Sequence, residues 1–392
     1  TEQELANVIW DIKEIIRNLY DDAEVEDVIL PFTLLRRLDC VLDEHRDAIM
    51  KEMNAIKDKP ALMQDIKLKS LLKQHGLTFF NKSGLSLERL LGAPNQVGTS
   101  FKTYLEGFTD NVKDILANFV HTDTSSEELD LSPIYSRLDR HDKLYSVIQL
   151  FVQRADLHPN MVSNAMMGTV FEIVIRRSKE SSNTKAGQFY TPREIVRLLV
   201  SLTMCGKENE LYEPGRAFSI YDPCCGTGGM LTAGREYLQE ISGRKDLKVY
   251  LYGQELNEKT YAICKSDLII KNVNPDGIHC GNTLTINHFA NRTFGYMITN
   301  PPYGKSWKED KKKIYHDKEL TDSRFFLPLQ QFDGETADVD CCTRTSDGQL
   351  MFVLEMLDKL KPLDVQPQGS RIASVHNGSA LFTGDAGQAE SD

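Results

Sequence analysis

Phe218-Ser219-Ile220-Tyr221-Asp222-Pro223-Cys224-Cys225-Gly226-Thr227-Gly228-Gly229 is the stretch that decides the fold. A short β-favouring run meets an acid, a proline and a glycine-rich turn, and from Met230 to Ile241 apolar residues recur at helical spacing. Glycines let the chain turn at positive φ and bring backbone N–H groups close to a ligand. In an open α/β sheet, the carboxyl edge of the strands is where ligands bind. The nicotinamide fingerprint GxGxxG is not met, because the frame Gly226-Thr227-Gly228-Gly229-Met230-Leu231 ends in Leu. A P-loop around Gly304-Lys305-Ser306 fails too, since Thr299 stands where its first glycine belongs.

Working outward, residues 249–252 read as a second strand, 259–271 as a helix and 278–280 as a third strand. Residues 296–299 read as a fourth strand, 350–360 as an amphipathic helix and 371–375 as a fifth strand. Strands alternating with helices predict a parallel, doubly wound α/β sheet. Upstream the character differs. Leu5, Val8, Ile9, Ile12, Ile15, Ile16 and Leu19 fall at helical spacing, and Thr1-x-x-Glu4 has the form of a capping box. A second apolar stretch, 28–42, contains Pro31, which is expected to end or restart a helix. Further helical patterns lie at 100–119 and 144–151, and no long strand-like alternation appears before residue 175. The polar run Ser178-Lys179-Glu180-Ser181-Ser182-Asn183-Thr184 reads as a linker. The expected division is an all-α domain at 1–177 and an α/β domain at 178–392.

Composition sets limits. At 392 residues, with about 150 per domain, two to three domains are expected. The 41% hydrophobic and 26% charged fractions are those of a globular chain. No apolar run approaches a membrane span, and the amphipathic, acid-containing N-terminus does not resemble a secretory signal. The net charge is −11, whereas a chain that binds nucleic acid unaided is usually basic. A DNA-acting protein of this charge needs clustered lysines or a partner. The 8 cysteines include no CxxC, and the pairs Cys224-Cys225 and Cys341-Cys342 lack zinc spacing. A reduced cytoplasmic protein with free thiols and no metal site is the expectation.

Two other strand ends carry chemistry. Glu255 closes the second strand, and a carboxylate there can accept both hydrogens of a ribose diol. Asn300-Pro301-Pro302-Tyr303 follows the fourth strand. The prolines fix the backbone, the Asn oxygen with a neighbouring carbonyl can accept both hydrogens of an exocyclic amine, and Tyr303 offers a face for stacking. The plain alternatives are a solvated strand-end acid and an ordinary turn. Thr191-Pro192-Arg193-Glu194 has the pattern of a helix start, with Thr191 as cap and Pro192 at the first position, exposing N–H groups suited to a carboxylate.

Together, Asp222–Gly229 and Asn300–Tyr303 resemble the cofactor and catalytic motifs of S-adenosylmethionine-dependent amino-methyltransferases. Ala186-Gly187-Gln188-Phe189-Tyr190-Thr191-Pro192-Arg193 narrows this to a resemblance to the modification subunit of type I restriction-modification systems, the N6-adenine DNA methyltransferases. The likeness extends over the chain, including Leu35-Arg36-Arg37-Leu38-Asp39, the 369–373 stretch and Leu381-Phe382. It implies a Rossmann-like class I methyltransferase domain behind an all-α domain. It implies that Gln188, Phe189, Tyr190, Thr191, Pro192 and Arg193 hold the methionine part of S-adenosylmethionine. It further implies that Asp222, Gly226, Thr227, Gly228 and Gly229 form the cofactor turn and that Glu255 binds the ribose. Asn282 stands where the family often has Asp, and either residue can bond the cofactor's adenine amine. Double-stranded DNA, a specificity subunit and a nuclease subunit are the implied partners.

Family members usually continue with two more strands and a helical tail, so the chain is expected to lack its C-terminal part. Lys305, Lys308, Lys311, Lys312, Lys313 and Lys318 are candidate phosphate contacts or simply a solvated loop, and the polar stretch onward to Gly348 is expected to be mobile or ordered by a partner. Two rival readings share these residues: a same-fold protein glutamine methyltransferase, and an inactive assembly scaffold.

Overall fold

The computed structural model describes residues 1–22, 24–120, 130–181, 191–332, 334–366 and 369–378. Gln188, Phe189, Tyr190 and the Leu381-Phe382 pair lie outside them. The chain forms two compact units, Thr1–Ala186 with Ala262–Val273, and Gly187–Tyr261 with Asn274–Asp392. Residues 262–273, expected in the α/β half, belong to the helical unit because Ala262, Ile263 and Ile269 join its apolar core. Among the described residues no helix is long and apolar enough to cross a membrane.

The regular elements described in the first unit are helices, joined by loops that include the antiparallel bridge Asn81–Phe108. Its first helix, Glu2–Trp10, starts with the expected capping box at Thr1 and Glu4, then breaks at Asp11 before Ile12–Ile16. Pro31 does not interrupt the next helix, which runs unbroken over Val25–Leu42. The hydrogen bond Pro31 cannot donate costs about 3 kcal/mol or more. Against that stand Val28, Ile29, Leu30, Phe32, Leu34 and Leu35, all buried around it, each worth roughly 1.5–3 kcal/mol. The 100–119 pattern divides into Val97–Glu106 and Asp110–Ala117. The break falls where Lys82 N–H meets Gly107 O and Asn81 Nδ2 donates to Tyr104 O. A side chain on Gly107 would stand 2.3 Å from Asn81 Oδ1. The expected linker is helical at its start, because Asn164–Ser181 continues through Ser178, which is buried.

The second unit contains the strands β1 Ala217–Asp222, β2 Lys248–Glu255, β3 Ile278–Cys280, β4 Tyr296–Thr299, β5 Tyr315–His316, β6 Glu319–Leu320, β7 Phe326–Gln330, β8 Thr336–Asp340 and β9 Arg371–Ser374. Five form a parallel sheet in the order β3-β2-β1-β4-β9. Helices Gly229–Ser242 and Glu258–Ile270 follow β1 and β2. The sheet therefore turns one way from β1 to β3 and the other way from β1 to β9, which opens a crevice at the carboxyl ends of β1 and β4.

The stretch expected to be mobile is ordered in its described part. It holds the helix Lys308–Ile314 and two antiparallel hairpins, β5-β6 and β7-β8. Trp307, Ile314, Leu320 and Phe325 bury themselves with Leu284, Met351, Phe352 and Leu354. Met351, Phe352 and Leu354 belong to the helix legible from its periodicity, whereas Leu284, Trp307, Leu320 and Phe325 come from separate loops and short elements with no periodic signature.

Candidate active site

β1 delivers Asp222 buried to the sheet edge. Its Oδ1 accepts the Thr299 hydroxyl at 2.7 Å and the Cys224 N–H at 3.1 Å. Burial pushes the Asp222 carboxyl up to about 7, the Glu255 charge adds to this, and the two hydrogen bonds oppose it. The chain then turns through Gly226 at φ 56° and Gly228 at φ 80°, the latter capping the helix Gly229–Ser242. Cys225 N–H donates to Gln254 O at 3.0 Å, drawing the turn onto β2. That approach requires Gly253, where a Cβ would stand 2.8 Å from Cys225 Sγ.

Glu255 ends β2 buried beside the turn. Its Oε2 accepts Gly226 N–H at 3.0 Å and its Oε1 accepts Asn257 N–H at 2.8 Å, so the carboxylate is held between two loops. Past β3, Thr283 Oγ1 donates to Pro223 O at 2.5 Å and ties the next loop to the same turn. Its neighbour Asn282 is half-buried, with Oδ1 accepting Leu284 N–H at 3.0 Å and Nδ2 donating to Asp310 Oδ1 at 2.7 Å.

Asn300 follows β4 directly. Its Nδ2 donates to Thr191 Oγ1 at 2.9 Å, and its Oδ1 accepts the Tyr303 hydroxyl, which also lies 3.2 Å from Val375 O. Burial raises the Tyr303 hydroxyl above its ordinary value, as does nearby Cys224. Cys224 Sγ lies 3.0 Å from Thr299 Oγ1, and burial pushes its thiol well above the usual range. Pro301 is buried and Pro302 half-buried behind the turn.

Asp222, the 226–229 turn, Glu255 and Asn300 are thus gathered at one edge, with Thr191 brought to Asn300. Two expectations around Thr191 are corrected. The helix begins at Arg193 with Pro192 as its cap residue, and no side chain caps it. The Thr191 hydroxyl is committed to Asn300 instead. Arg193 points its guanidinium to Glu236 at 2.8 Å.

Sequence reasoning passed over Asp310 and Arg324. Asp310 sits in the run Lys308-Glu309-Asp310-Lys311, which reads as a solvated charge cluster. Arg324 is buried and donates to Thr283 O at 2.7 Å and Leu284 O at 3.2 Å, while pairing with Glu355 at 2.7 Å and Asp322 at 2.6 Å. The one signal in the sequence is an Arg flanked by Phe325-Phe326, an apolar setting in which a charge needs partners.

Residues 162–389 match the family described as N-6 DNA Methylase, and residues 5–151 match the HsdM N-terminal domain. The methylase subunit of type I restriction enzyme MjaIX from Methanocaldococcus jannaschii is 24% identical over 323 residues, covering 79% of this chain and 53% of that protein. The EcoEI methylase subunit from Escherichia coli is 26% identical over 213 residues, covering 52% and 37%. The chain spans about half the length, or less, of these curated relatives. The methyltransferase subunit of a type I restriction-modification system from Streptococcus thermophilus has the same fold, with a TM-score of 0.62 at 19% identity over 98% of this chain and 77% of that one. A modification subunit from Vibrio vulnificus gives 0.53 at 16% identity over 100% and 74%. The architecture is therefore a class I methyltransferase sheet with a helical N-terminal domain, and, with the methylase match extending over more than half of its length, the chain belongs to the N-6 DNA Methylase family.

Proposed function

We propose that this chain is the modification subunit of a type I restriction-modification complex, an adenine-specific DNA methyltransferase acting on the exocyclic N6 amine. The observation that carries the reading is Asn300, opening the Asn-Pro-Pro-Tyr turn at the carboxyl end of β4, one strand from the glycine turn of β1. Protein glutamine methylation is not favoured, given the family match.

The residues suit S-adenosylmethionine as cofactor. Gly226 lies at φ 56°, and among the described residues no atom beyond its chain neighbours comes within 4 Å of where a Cβ would stand, which leaves that face of the turn open to a ligand. Among the residues we assign to it, Asp222 and Glu255 carry carboxyls and Arg193 a guanidinium already paired with Glu236, and we assign the Glu255 carboxylate to the ribose diol. Asp222, Gly226, Thr227, Gly228 and Gly229 shape the turn, Asn282 faces the adenine, and residues 188–193 are assigned to the methionine part. Bound there, S-adenosylmethionine supplies a methyl group on a positively charged sulfur.

Asn300 Oδ1 and a neighbouring carbonyl accept the two hydrogens of the target amine. This draws the nitrogen lone pair out of conjugation with the ring and toward the methyl donor. The Thr191 contact holds Asn300 Nδ2 away from the amine, which fixes the oxygen as the acceptor. The Tyr303 hydroxyl gives up its bond to Oδ1 as the amine arrives, and its ring stacks on the base. Taking adenine out of the duplex costs a few kcal/mol, of which stacking returns about 1–3 kcal/mol.

Double-stranded DNA is the proposed substrate, in the cytoplasm, with a specificity subunit supplying much of the phosphate contact that a chain of charge −11 lacks. A nuclease subunit would join the same complex. Lys305, Lys308, Lys313 and Lys318 are the further phosphate contacts we assign. The test is methyl transfer from radiolabelled S-adenosylmethionine to unmethylated DNA with the specificity subunit present. Label is expected in N6-methyladenine, falling by roughly 10²–10³ in Asn300→Ala while cofactor affinity stays near the parent value. Label in protein, or none in DNA despite cofactor binding, overturns the reading.

A further inference from the structure

Asn282 does not hang freely into the cofactor crevice. An amide has two N–H donors and two oxygen lone pairs. One N–H goes to Asp310 Oδ1 at 2.7 Å, and one lone pair receives Leu284 N–H at 3.0 Å. An ionised carboxylate only accepts, and a backbone N–H only donates. The amide is therefore clamped at both ends by partners of fixed polarity. Turning it over would set its oxygen against the Asp310 carboxylate and its N–H groups against Leu284 N–H. The side chain keeps one N–H and one oxygen lone pair for a ligand. A carboxylate at this position would offer acceptors alone.

We propose that Asp310 is a positioning residue that locks Asn282 into one orientation, so that Asn282 reads the adenine edge of the cofactor as an acceptor for the 6-amino group and a donor to an adjacent ring nitrogen. The proposal rests on the S-adenosylmethionine reading given above. The donor–acceptor pair that remains is the complement of adenine's amino group beside an unprotonated nitrogen, the pattern by which an amide recognises adenine. Hypoxanthine carries the reverse pattern, with a 6-oxo acceptor beside a ring N–H. A clamped amide rejects it, whereas an unclamped amide can turn and accept it. Asp310 lies ten residues after Asn300, so the segment that follows the catalytic turn also holds the base-reading group of the cofactor site.

The test measures binding by calorimetry, independent of turnover. The probes are S-adenosylhomocysteine and S-inosylhomocysteine, with the full chain, Asp310→Ala and Asp310→Asn. The parent chain should prefer the adenosyl compound by roughly 10- to 100-fold, the discrimination of a bidentate amide–adenine pair. In Asp310→Ala that preference should shrink to a few-fold, with the inosyl compound binding more tightly than it does to the parent. Asp310→Asn keeps an acceptor for Asn282 but has lost its fixed polarity, so adenosyl affinity should hold while discrimination drops. This near-isosteric variant keeps the test valid if Asp310→Ala fails to fold. A discrimination ratio within twofold of the parent in both variants overturns the proposal, as does a parent chain that binds both compounds equally. If the parent binds neither compound, the cofactor reading itself fails and the proposal falls with it.

Discussion

Arg324 is the residue whose removal should most directly disturb the 282–284 loop, to which we assign part of the cofactor site, without itself being assigned to a ligand. Its guanidinium supports two consecutive carbonyls, Thr283 O and Leu284 O, in the loop that carries Asn282. It also neutralises Glu355, which is buried and accepts the Tyr221 hydroxyl at 2.9 Å. Burial works against the Arg324 charge, yet the hydrogen bond to Asp322 and the charge of Glu355 outweigh it and hold its pKa above the ordinary value. Burial likewise pushes Glu355 up, against the pull of Arg324 and Lys359.

Arg324→Met keeps most of the apolar stem and deletes the charge. Breaking a buried pair by removing one partner costs about 3–5 kcal/mol. Lys359 Nζ, 3.9 Å from Glu355 Oε1, takes up part of the stranded charge and places the expectation near the lower figure, about 3 kcal/mol. The chain has two tryptophans, Trp10 and Trp307. Trp307 is buried in the cluster that contains Leu284 and Phe325, so in a Trp10→Phe background its fluorescence reports on this unit alone. With a urea slope of about 1–3 kcal/mol/M, a loss of about 3 kcal/mol lowers the midpoint by roughly 1–3 M.

The sign of the pH effect follows from Glu355. Its pKa in the folded protein already exceeds its unfolded value, and without Arg324 it climbs further. Stability from that group is present below the unfolded pKa and is lost as pH rises toward the folded one. The deficit of Arg324→Met should therefore be larger at pH 8 than at pH 5, and adding Glu355→Gln should recover part of it. A deficit below about 1 kcal/mol, or one that does not change with pH, would refute the account.

Two other substitutions probe the same edge. Asp222 carries a folded pKa near 7 against an unfolded value near 4, so stability drops as pH rises between those limits, by about 1.4 kcal/mol for each full unit. Asp222→Asn keeps an oxygen for Thr299 and Cys224 and has no charge to bury. Its urea midpoint should be flatter than the parent's between pH 5 and 8, and parallel profiles would exclude the buried-charge explanation. Thr191→Val removes the acceptor for Asn300 Nδ2 at nearly constant volume. Loss of one hydrogen bond predicts a fall in kcat of roughly 3- to 10-fold, larger than any change in cofactor affinity, and restored by Thr191→Ser. Equal loss in both quantities would mean that Thr191 acts through the cofactor.

The parallel sheet was legible because its strands are short apolar runs ended by polar or glycine punctuation. Residues 296–299 and 278–280 carry the bounds expected of them. That Asp222, Glu255 and Asn300 stand at strand ends was legible for the same reason, and it is from these positions that their roles are proposed. What was missed depends on long-range partners. Pro31 breaks isolated helices, and the buried neighbours that override it belong to tertiary packing. Asp310 reaches Asn282 from 28 residues away and Arg324 reaches Thr283 from 41, so neither has a local signature. Thr191 satisfies the local rule for a helix cap, but its hydroxyl is claimed by Asn300, 109 residues on. A capping pattern predicts that a hydroxyl needs a partner, and it does not say which partner wins.

Strand order, more than sequence order, explains how the labour is divided across this edge. β1 lies between β2 and β4, so Asp222 has the cofactor-assigned Glu255 on one side and Asn300 on the other. The Asp222 carboxylate accepts from Thr299 on the β4 side and from its own turn on the other, stitching the strand ends where the sheet changes direction. That position also accounts for its pKa. A carboxylate sunk between strand ends loses water, and Glu255 repels its charge from the neighbouring strand. A group that binds two donors at a seam and lies fully buried is poorly placed to exchange protons with a substrate. Its work is to set the spacing between the glycine turn and Asn300, the two groups to which we assign the methyl donor and the target amine. Asp310 and Arg324 extend the same logic outward, since both brace the 282–284 loop from the segment that follows Asn300 in the chain.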